Sequence, residues 1–99
     1  MEEARTKIIC TIGPASSSVS MLLKMIYAGM DVARLNFSHG THDEHKTLIR
    51  NIRRAASTNN KYVGILQDLQ GPKIRVGDLP KDGVKLSKSQ KIVFTTASS

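Results

Sequence analysis

Residues 32–44 read Val-Ala-Arg-Leu-Asn-Phe-Ser-His-Gly-Thr-His-Asp-Glu, and this stretch contains both a strand and the start of a helix. Its first half alternates apolar and polar side chains with a period of two, which predicts a β-strand over residues 31–38. Gly40 then interrupts the pattern, and Thr41 with Glu44 three positions later is the capping box of a helix N-terminus. The stretch therefore predicts a strand that passes directly into a helix, as in the units of a parallel sheet.

The same alternation of strand and helix extends to both sides of this stretch. The apolar run of residues 7–12 predicts a strand, and apolar residues at helical spacing over residues 19–27 predict a helix that ends at Gly29. After the second helix, residues 62–66 predict a third strand that ends near Asp68. The order βαβαβ, with strand starts about 24 and 31 residues apart, is typical of parallel units joined by right-handed crossovers.

The pattern changes beyond Arg75, where turn-forming residues replace these signals. Short β-like runs at residues 84–86 and 92–94 predict an antiparallel, all-β segment. We therefore expect an α/β part over residues 1–74 and the start of an inserted all-β domain over residues 75–99. Because a parallel sheet needs both faces covered and its edges paired, three strands are too few for a finished fold, and we expect a piece of a larger protein.

Composition and charge narrow the classes of protein that the chain could represent. The 99 residues carry a net charge of +7, but the basic residues are scattered and only Arg53 and Arg54 are adjacent, which does not favour nucleic acid binding. The single cysteine, Cys10, excludes an internal disulfide and lies in an apolar run, as a buried small side chain would. The chain opens without a basic, apolar leader and has no run of about 18 apolar residues. We therefore expect a soluble, cytoplasmic protein without a membrane partner.

Polar residues gather where the predicted strands end, and α/β folds and barrels place their sites at that edge. Alternation puts Arg34, Asn36 and Ser38 on one side of the second strand, and Asp68 ends the third. An Arg can clamp a phosphate or carboxylate, and Asn, Ser and Asp oxygens can bind a cation. The alternatives are an edge strand with a solvated polar face and a salt bridge from Asp68 to a cation of the Lys73–Arg75 stretch.

Three histidines have more than one interpretation. His39 could act as a general base or metal ligand, or could be a loop histidine that only contacts a ligand. His42 and His45 lie in the first turn of the second helix, where a pair at this spacing could bind a metal. No carboxylate-rich surroundings follow them, so we expect both at the surface.

Three stretches carry a family resemblance: residues 6–16 (TKIICTIGPAS), 33–40 (ARLNFSHG) and 68–75 (DLQGPKIR). In this order and spacing they resemble motifs of the pyruvate kinases. The resemblance covers residues 5–77 strongly, and the tail to Ser99 resembles the start of that family's β-barrel lid domain.

The resemblance implies a fold and a reaction. The family folds as a (β/α)8 TIM barrel with a lid inserted after the third strand, so this chain would form the first three βα units and the start of the lid. The family transfers a phosphoryl group from phosphoenolpyruvate to ADP, giving pyruvate and ATP, with Mg²⁺, and the intact protein would be a homotetramer. The family's Mg²⁺ ligands and catalytic lysine lie on later strands and match no stretch here, so we expect the 99 residues alone to be inactive.

The resemblance also implies roles for single residues. Arg34 would contact the phosphoryl group of the substrate. The implied nucleotide-binding residues are Asn36, Phe37, Ser38, His39 and Arg75. The implied monovalent-cation (K⁺) site is formed by Asn36, Ser38, Asp68 and Leu69. Phosphoryl transfer depends mostly on positioning and charge neutralisation, which fixed cations around the migrating group supply.

Residues 69–73 depart from the common pattern of the family. Many members have Thr-Lys-Gly-Pro-Glu where this chain has Leu-Gln-Gly-Pro-Lys, and those with Glu resemble K⁺-dependent enzymes. Leu69 has no side-chain oxygen for K⁺, although its carbonyl could coordinate one. The Lys73 ammonium would supply a tethered positive charge that repels a second cation at close range. We therefore expect K⁺ to be dispensable.

Other functions remain compatible with parts of the pattern. A pyruvate- or phosphoenolpyruvate-using lyase would share the phosphate-binding residues but would need no ADP site. A basic binding module would need stacking aromatics beside clustered cations, whereas the two Tyr and two Phe here lie mostly in apolar patterns. A purely structural role for the isolated piece is compatible with the main hypothesis.

Overall fold

The computed structural model describes residues 4–96 and contains a small parallel sheet with two helices. Its elements in chain order are β1 (Ile9–Thr11), a 3₁₀ turn (Pro14–Ser16), α1 (Val19–Tyr27), β2 (Val32–Asn36), α2 (His42–Thr58) and β3 (Gly64–Asp68). The strands form one sheet in the order β1-β2-β3, and both pairs are parallel. The predicted order and the α/β class are confirmed. Of the third predicted βα unit, the described residues contain the strand but no following helix.

Both helices begin where the sequence predicts, and α1 ends just before Gly29 as predicted. The Ser18 hydroxyl caps α1 by accepting the Met21 N–H at 3.3 Å, and Gly29 follows the helix with a φ of +116°, which glycine adopts without a Cβ clash. At α2, Thr41 Oγ1 accepts the Glu44 N–H at 3.3 Å, and Glu44 Oε2 accepts the Thr41 N–H at 2.6 Å. This reciprocal capping box fixes the point at which the loop after β2 becomes helix. Within residues 4–96, neither helix is both long and apolar enough to cross a membrane.

The strands sort their side chains onto two faces of the sheet. Ala33 and Leu35 of β2 are 0% and 1% exposed, and they pack into the core on the helix-covered face. Because side chains alternate along a strand, Arg34 and Asn36 lie on the opposite face. The predicted two-sided pattern of β2 is therefore confirmed.

The core lies between the helices and this covered face. Its largest fully buried side chains are Leu22 and Ile26 of α1, Leu35 of β2 and Ile52 of α2. Cys10 is half-buried and packs against this core, as expected for a small apolar side chain. The two helices therefore pack against each other and the sheet through Leu22 and Ile26 of α1 and Ile52 of α2.

Asn51 of α2 and Asn59, the residue that follows α2, also hold the α1 region by hydrogen bonds. Asn51 Nδ2 donates to the carbonyl of Ser17 at 3.1 Å, and Asn59 Nδ2 donates to the carbonyl of Leu23 at 3.2 Å. Each bond pairs a polar side chain that packing would otherwise partly desolvate. Together they fix the position of α1 along α2.

The other face of the sheet has little cover within the described residues. Ile9 of β1 is 56% exposed there, and Leu66 of β3 is 38% exposed. Both strands pair with β2 on one side and have no described partner on the other. Parallel sheets in stable folds are covered on both faces, so this face suits further protein segments.

Residues 69–96 contain no helix or strand, and each of them is exposed. One of the turns expected beyond Arg75 is present at Pro80–Gly83, where the Gly83 N–H donates to the Pro80 carbonyl at 2.8 Å. The strands predicted at residues 84–86 and 92–94 are wrong for this structure, because no strand among the described residues lies beside them to form a ladder. The all-β domain predicted over 75–99 stays a prediction, and residues 97–99 of it lie outside the described residues.

We predict that Ile52→Ala lowers the free energy of unfolding by about 2–5 kcal/mol, because it leaves a cavity in a fully packed core. Urea unfolding of the chain, followed by circular dichroism, measures the change. Arg53→Ala is the matched control, since Arg53 is the exposed neighbour on the same helix, and it should change stability by no more than about 0.5 kcal/mol. Equal effects of the two substitutions would contradict the core described above.

Candidate functional site

The polar residues that end the strands lie together on the uncovered face. Thr11 of β1 is the register partner of Arg34 on β2, and Asn36, two residues further along β2, is the partner of Asp68 on β3. Since the strands are parallel, these four side chains form one patch at the carboxyl edge of the sheet. We call Thr11, Arg34, Asn36 and Asp68 the strand-end cluster.

Arg34 connects all three strands of the sheet. Its Nη1 donates to Thr11 Oγ1 at 2.9 Å, and its Nη2 forms an ion pair with Asp68 Oδ2. The Arg34 and Asp68 side chains are 33% and 41% exposed, so a ligand can reach the pair. A guanidinium has five N–H donors in a planar fork, and it can hold both partners while offering others to an anion.

The partner of Asp68 differs from the sequence-based alternative, which was a salt bridge with Lys73 or Arg75. The residue that pairs with Asp68 is Arg34, whose side chain lies on the same face of the neighbouring strand. Lys73 and Arg75 come after the Gly71-Pro72 break and are exposed. Nearness in sequence was misleading because the pairing depends on the register between β2 and β3.

Lys73 nevertheless reaches back to the same edge. Its Nζ donates to Ser38 Oγ at 3.5 Å, and the Ser38 N–H in turn donates to Asn36 Oδ1 at 3.0 Å. Arg34 and Lys73 thus bring two positive charges to an edge where, among these contacts, Asp68 supplies one negative charge. This balance favours an anion over a further cation.

Three of the other predicted site residues take no side-chain part in these contacts. His39, Leu69 and Arg75 are exposed, and their side chains have no hydrogen bond or ion pair within residues 4–96. The same described part of the chain contains no group of three or more His, Cys, Asp or Glu placed to hold a metal ion. The predicted nucleotide and cation residues are therefore brought near one another only around Asn36, Ser38 and Asp68.

Phe37 and His45 support the loop between β2 and α2 from the helix side. Their rings are stacked, with centroids 4.0 Å apart and planes inclined by 8°, and His45 Nε2 lies 2.8 Å from the carbonyl oxygen of His39. His45 is 9% exposed, so the surface position predicted for it is wrong, whereas His42 is exposed as predicted. The missed signal is spacing, since His45 lies seven positions before Ile52 on the buried stripe of α2.

A cleft of about 890 Å³ opens beside this loop. Pro14 and Ser17 line it from the segment after β1, Asn36 and His39 from the loop, and Asn51 from α2. Its volume falls within the range of about 300–1,000 Å³ that is typical of small-molecule sites. Two of the residues predicted to bind nucleotide thus border a cavity that is large enough for an organic ligand.

Comparison with known proteins identifies the family. Residues 3–99 match the family model described as pyruvate kinase, barrel domain. The chain belongs to the pyruvate kinase family. This match confirms the resemblance carried by the three sequence motifs, and the parallel sheet with its helices agrees with a pyruvate kinase barrel domain.

Individual pyruvate kinases match nearly the whole chain. It is 54% identical over 92 residues to the pyruvate kinase of Staphylococcus haemolyticus, covering 92% of this chain and 16% of that protein. It is 50% identical over 91 residues to the pyruvate kinase of Geobacillus stearothermophilus. A solved pyruvate kinase structure from Cryptosporidium parvum matches 76% of this chain and 15% of its own, with a TM-score of 0.70 and 51% identity. The chain thus spans about 16% of the length of its curated relatives.

We predict that Asp68→Asn changes the free energy of unfolding by less than about 1 kcal/mol, because Arg34 is exposed enough to stay hydrated without its partner. Urea unfolding of the chain measures this, with Asp78→Asn in the exposed tail as the control for losing one negative charge. A loss of about 3 kcal/mol or more would mean that the pair holds the fold together rather than standing ready for a ligand.

Proposed function

We propose that this chain supplies the phosphate-binding and nucleotide-binding side of a pyruvate kinase active site. The whole protein would transfer a phosphoryl group from phosphoenolpyruvate to ADP, giving pyruvate and ATP. The observation that carries the proposal is Arg34, held by Thr11 and Asp68 at the carboxyl edge of the sheet, in a chain that belongs to this family. Barrel enzymes place their catalytic groups at that edge.

Arg34 is the proposed contact for the phosphoryl group of phosphoenolpyruvate. Thr11 and Asp68 hold two of its N–H groups, so its fork is oriented before a substrate arrives. Preorganised charge of this kind lowers the barrier to phosphoryl transfer, because no reorganisation is needed as charge develops on the migrating group. The role of this residue is therefore binding and electrostatic stabilisation.

The proposed nucleotide-binding residues are those of the loop after β2 together with Arg75. Asn36 and His39 border the 890 Å³ cleft, which could accept the nucleoside part of ADP. The Phe37 ring is stacked on His45, so Phe37 would contact a nucleotide through its backbone. Ser38 and Arg75 would lie beside the phosphates, with Arg75 brought in from the segment after β3.

The cation requirements follow from the charges at the edge of the sheet. Asn36, Ser38, Asp68 and the Leu69 carbonyl are the proposed K⁺ ligands by family resemblance. Arg34 pairs with Asp68, and the Lys73 ammonium is 3.5 Å from Ser38 Oγ, so two of these ligands already face a positive charge. We infer that K⁺ is dispensable here. Mg²⁺, when bound, would neutralise phosphate charge, and the described residues offer no cluster to hold it.

The remaining assignments concern the whole protein. Residues 75–99 would begin a lid inserted after β3, and the uncovered face of the sheet would be closed by the later strands of a (β/α)8 barrel. By family resemblance, the protein would act in the cytoplasm as a homotetramer. Nucleic acid and membranes are not among the proposed partners.

We predict that the 99-residue chain alone gives no detectable pyruvate from phosphoenolpyruvate and MgADP. A chimaera in which this chain replaces the matching 92 residues of the Staphylococcus haemolyticus enzyme should be active. A coupled assay of pyruvate release measures both. Turnover by the chain alone would overturn the prediction, and an inactive but folded chimaera would count against the proposed function.

The same chimaera tests Arg34 directly. Arg34→Lys keeps the charge but loses the planar fork, and we expect kcat/KM for phosphoenolpyruvate to fall at least about tenfold. Lys24→Arg, a charge-conserving change at an exposed position of α1, is the matched control and should leave the rate unchanged. A similar rate for the Arg34 variant and the control would remove Arg34 from the proposed site.

We predict that the chimaera works at nearly the same rate in K⁺ and in a tetraalkylammonium salt of equal ionic strength, because Lys73 supplies a tethered charge. Activation by K⁺ of about tenfold, or about 1.4 kcal/mol in the barrier, would contradict this. Lys73→Glu is the informative variant, since it reverses the charge and gives the residue seen in K⁺-dependent relatives. We expect the variant to be activated by K⁺ more strongly than its parent.

A further inference from the structure

Within residues 4–96, His45 is the one polar side chain that is buried. A polar group removed from water is stable only where it is hydrogen-bonded, and His45 has one such bond, to the backbone of the loop between β2 and α2. The His45 side chain belongs neither to the strand-end cluster nor to the capping box of α2. Its burial therefore requires a different explanation.

We propose that His45 is a positioning residue that holds residues 36–40, here called the nucleotide loop, in the geometry needed to bind ADP. The inference rests on the proposed function, since it concerns the same nucleotide site. His45 contacts the loop through the His39 carbonyl and the Phe37 ring, while Asn36 and His39 are among the residues that line the cleft.

The hydrogen bond from His45 holds one end of the loop and requires a proton on Nε2 of the imidazole. His45 Nε2 is 2.8 Å from the carbonyl oxygen of His39. A carbonyl oxygen can only accept, so the ring must carry its proton on Nε2. The bond therefore holds the loop backbone at the residue that reaches the cleft.

The aromatic stack fixes the other end of the loop. The Phe37 and His45 rings are nearly parallel at 4.0 Å between centroids, and the Phe37 N–H donates to the carbonyl of Asp68 at 2.9 Å. The His45 imidazole thus contacts both Phe37, the first residue after β2, and His39. Ser38, between them, is left to meet Lys73.

Gly40 shows how closely the backbone passes over this ring. It has a φ of +76°, and a Cβ added there would lie 3.4 Å from His45 Nε2 and 3.1 Å from Glu44 Oε2. The Glu44 carboxylate would have to shift by a few tenths of an ångström, whereas the distance to His45 Nε2 is that of an ordinary contact. The loop therefore passes next to the His45 ring at Gly40 as well as at His39.

The proposed role of His45 in positioning the loop can be tested without unfolding the rest of the chain. The capping box of Thr41 and Glu44 starts α2 without His45, and the core residues lie one turn or more further along the helix. Loss of the His45 donor should therefore move the nucleotide loop while the helix and sheet stay in place. Arg34, on the uncovered face of the sheet, should keep its contacts with Thr11 and Asp68.

The test uses the chimaera and compares the Michaelis constants of the two substrates. His45→Phe keeps a stacking ring and loses the donor, and we expect KM for ADP to rise about tenfold while KM for phosphoenolpyruvate stays within about twofold. His45→Gln keeps an N–H donor and should recover most of the affinity for ADP. Arg54→Phe, which places the same ring at an exposed position further along α2, is the control and should change neither constant.

Unchanged Michaelis constants in His45→Phe, or equal changes for both substrates, would overturn the proposal. A second readout on the chimaera does not depend on activity. Hydrogen exchange of the Ser38 and His39 amides, both bonded to Asn36, should be about tenfold faster in His45→Phe, while core amides of α2 should not change. Equal exchange in parent and variant would likewise overturn it.

These outcomes separate the two proposals. If the chimaera lacks ADP-dependent turnover, the proposed function fails, and the exchange rates alone decide the role of His45. If His45→Phe does not fold, His45→Gln decides: loop exchange close to that of the parent supports the proposal. Fast loop exchange in a folded His45→Gln variant overturns it.

Discussion

The contact on which the site depends is the reach of Arg34 across the sheet, to Thr11 on one neighbouring strand and to Asp68 on the other. It exists because burial sets the orientation of β2. Ala33 and Leu35 enter the core, and alternation then forces Arg34 onto the opposite face. A slip of one residue would reverse the faces, burying a guanidinium and exposing the core side chains. Hydrophobic burial thus positions a polar group that plays no part in the core.

Local chemistry made much of the fold predictable from the sequence. The capping box, the glycine after α1 and the period-two alternation of β2 each act over a few residues, and each appears in the structure as expected. The gathering of polar residues at one edge was also predictable, because it follows from parallel strands and the positions at which they end. These features needed no knowledge of which residues touch across the fold.

Contacts that depend on strand register or on the path of a loop could not be predicted from the sequence. Asp68 pairs with Arg34, 34 residues away in the chain, rather than with the nearer Lys73. His45 is buried because the loop before α2 folds back over it, although its polar character suggested the surface. The runs near Val84 and Val93 have residues suited to a strand, but no described strand lies beside them. By contrast, β1 has only three residues and still forms a strand, because β2 pairs with it. Strand propensity becomes a strand only where a partner supplies the ladder.

The charges at the edge of the sheet suit the binding of an anion better than they suit a purely structural ion pair. An Arg–carboxylate pair as exposed as Arg34–Asp68 adds little stability, so its persistence calls for another reason. With two N–H groups engaged, the guanidinium keeps its others for a second anion, and Asp68 need not be displaced when one binds. Lys73, anchored at Ser38 on the same edge, leaves the surroundings of that anion net positive. Asp68 thus orients the fork, and the excess positive charge remains available to the phosphate that we propose binds there.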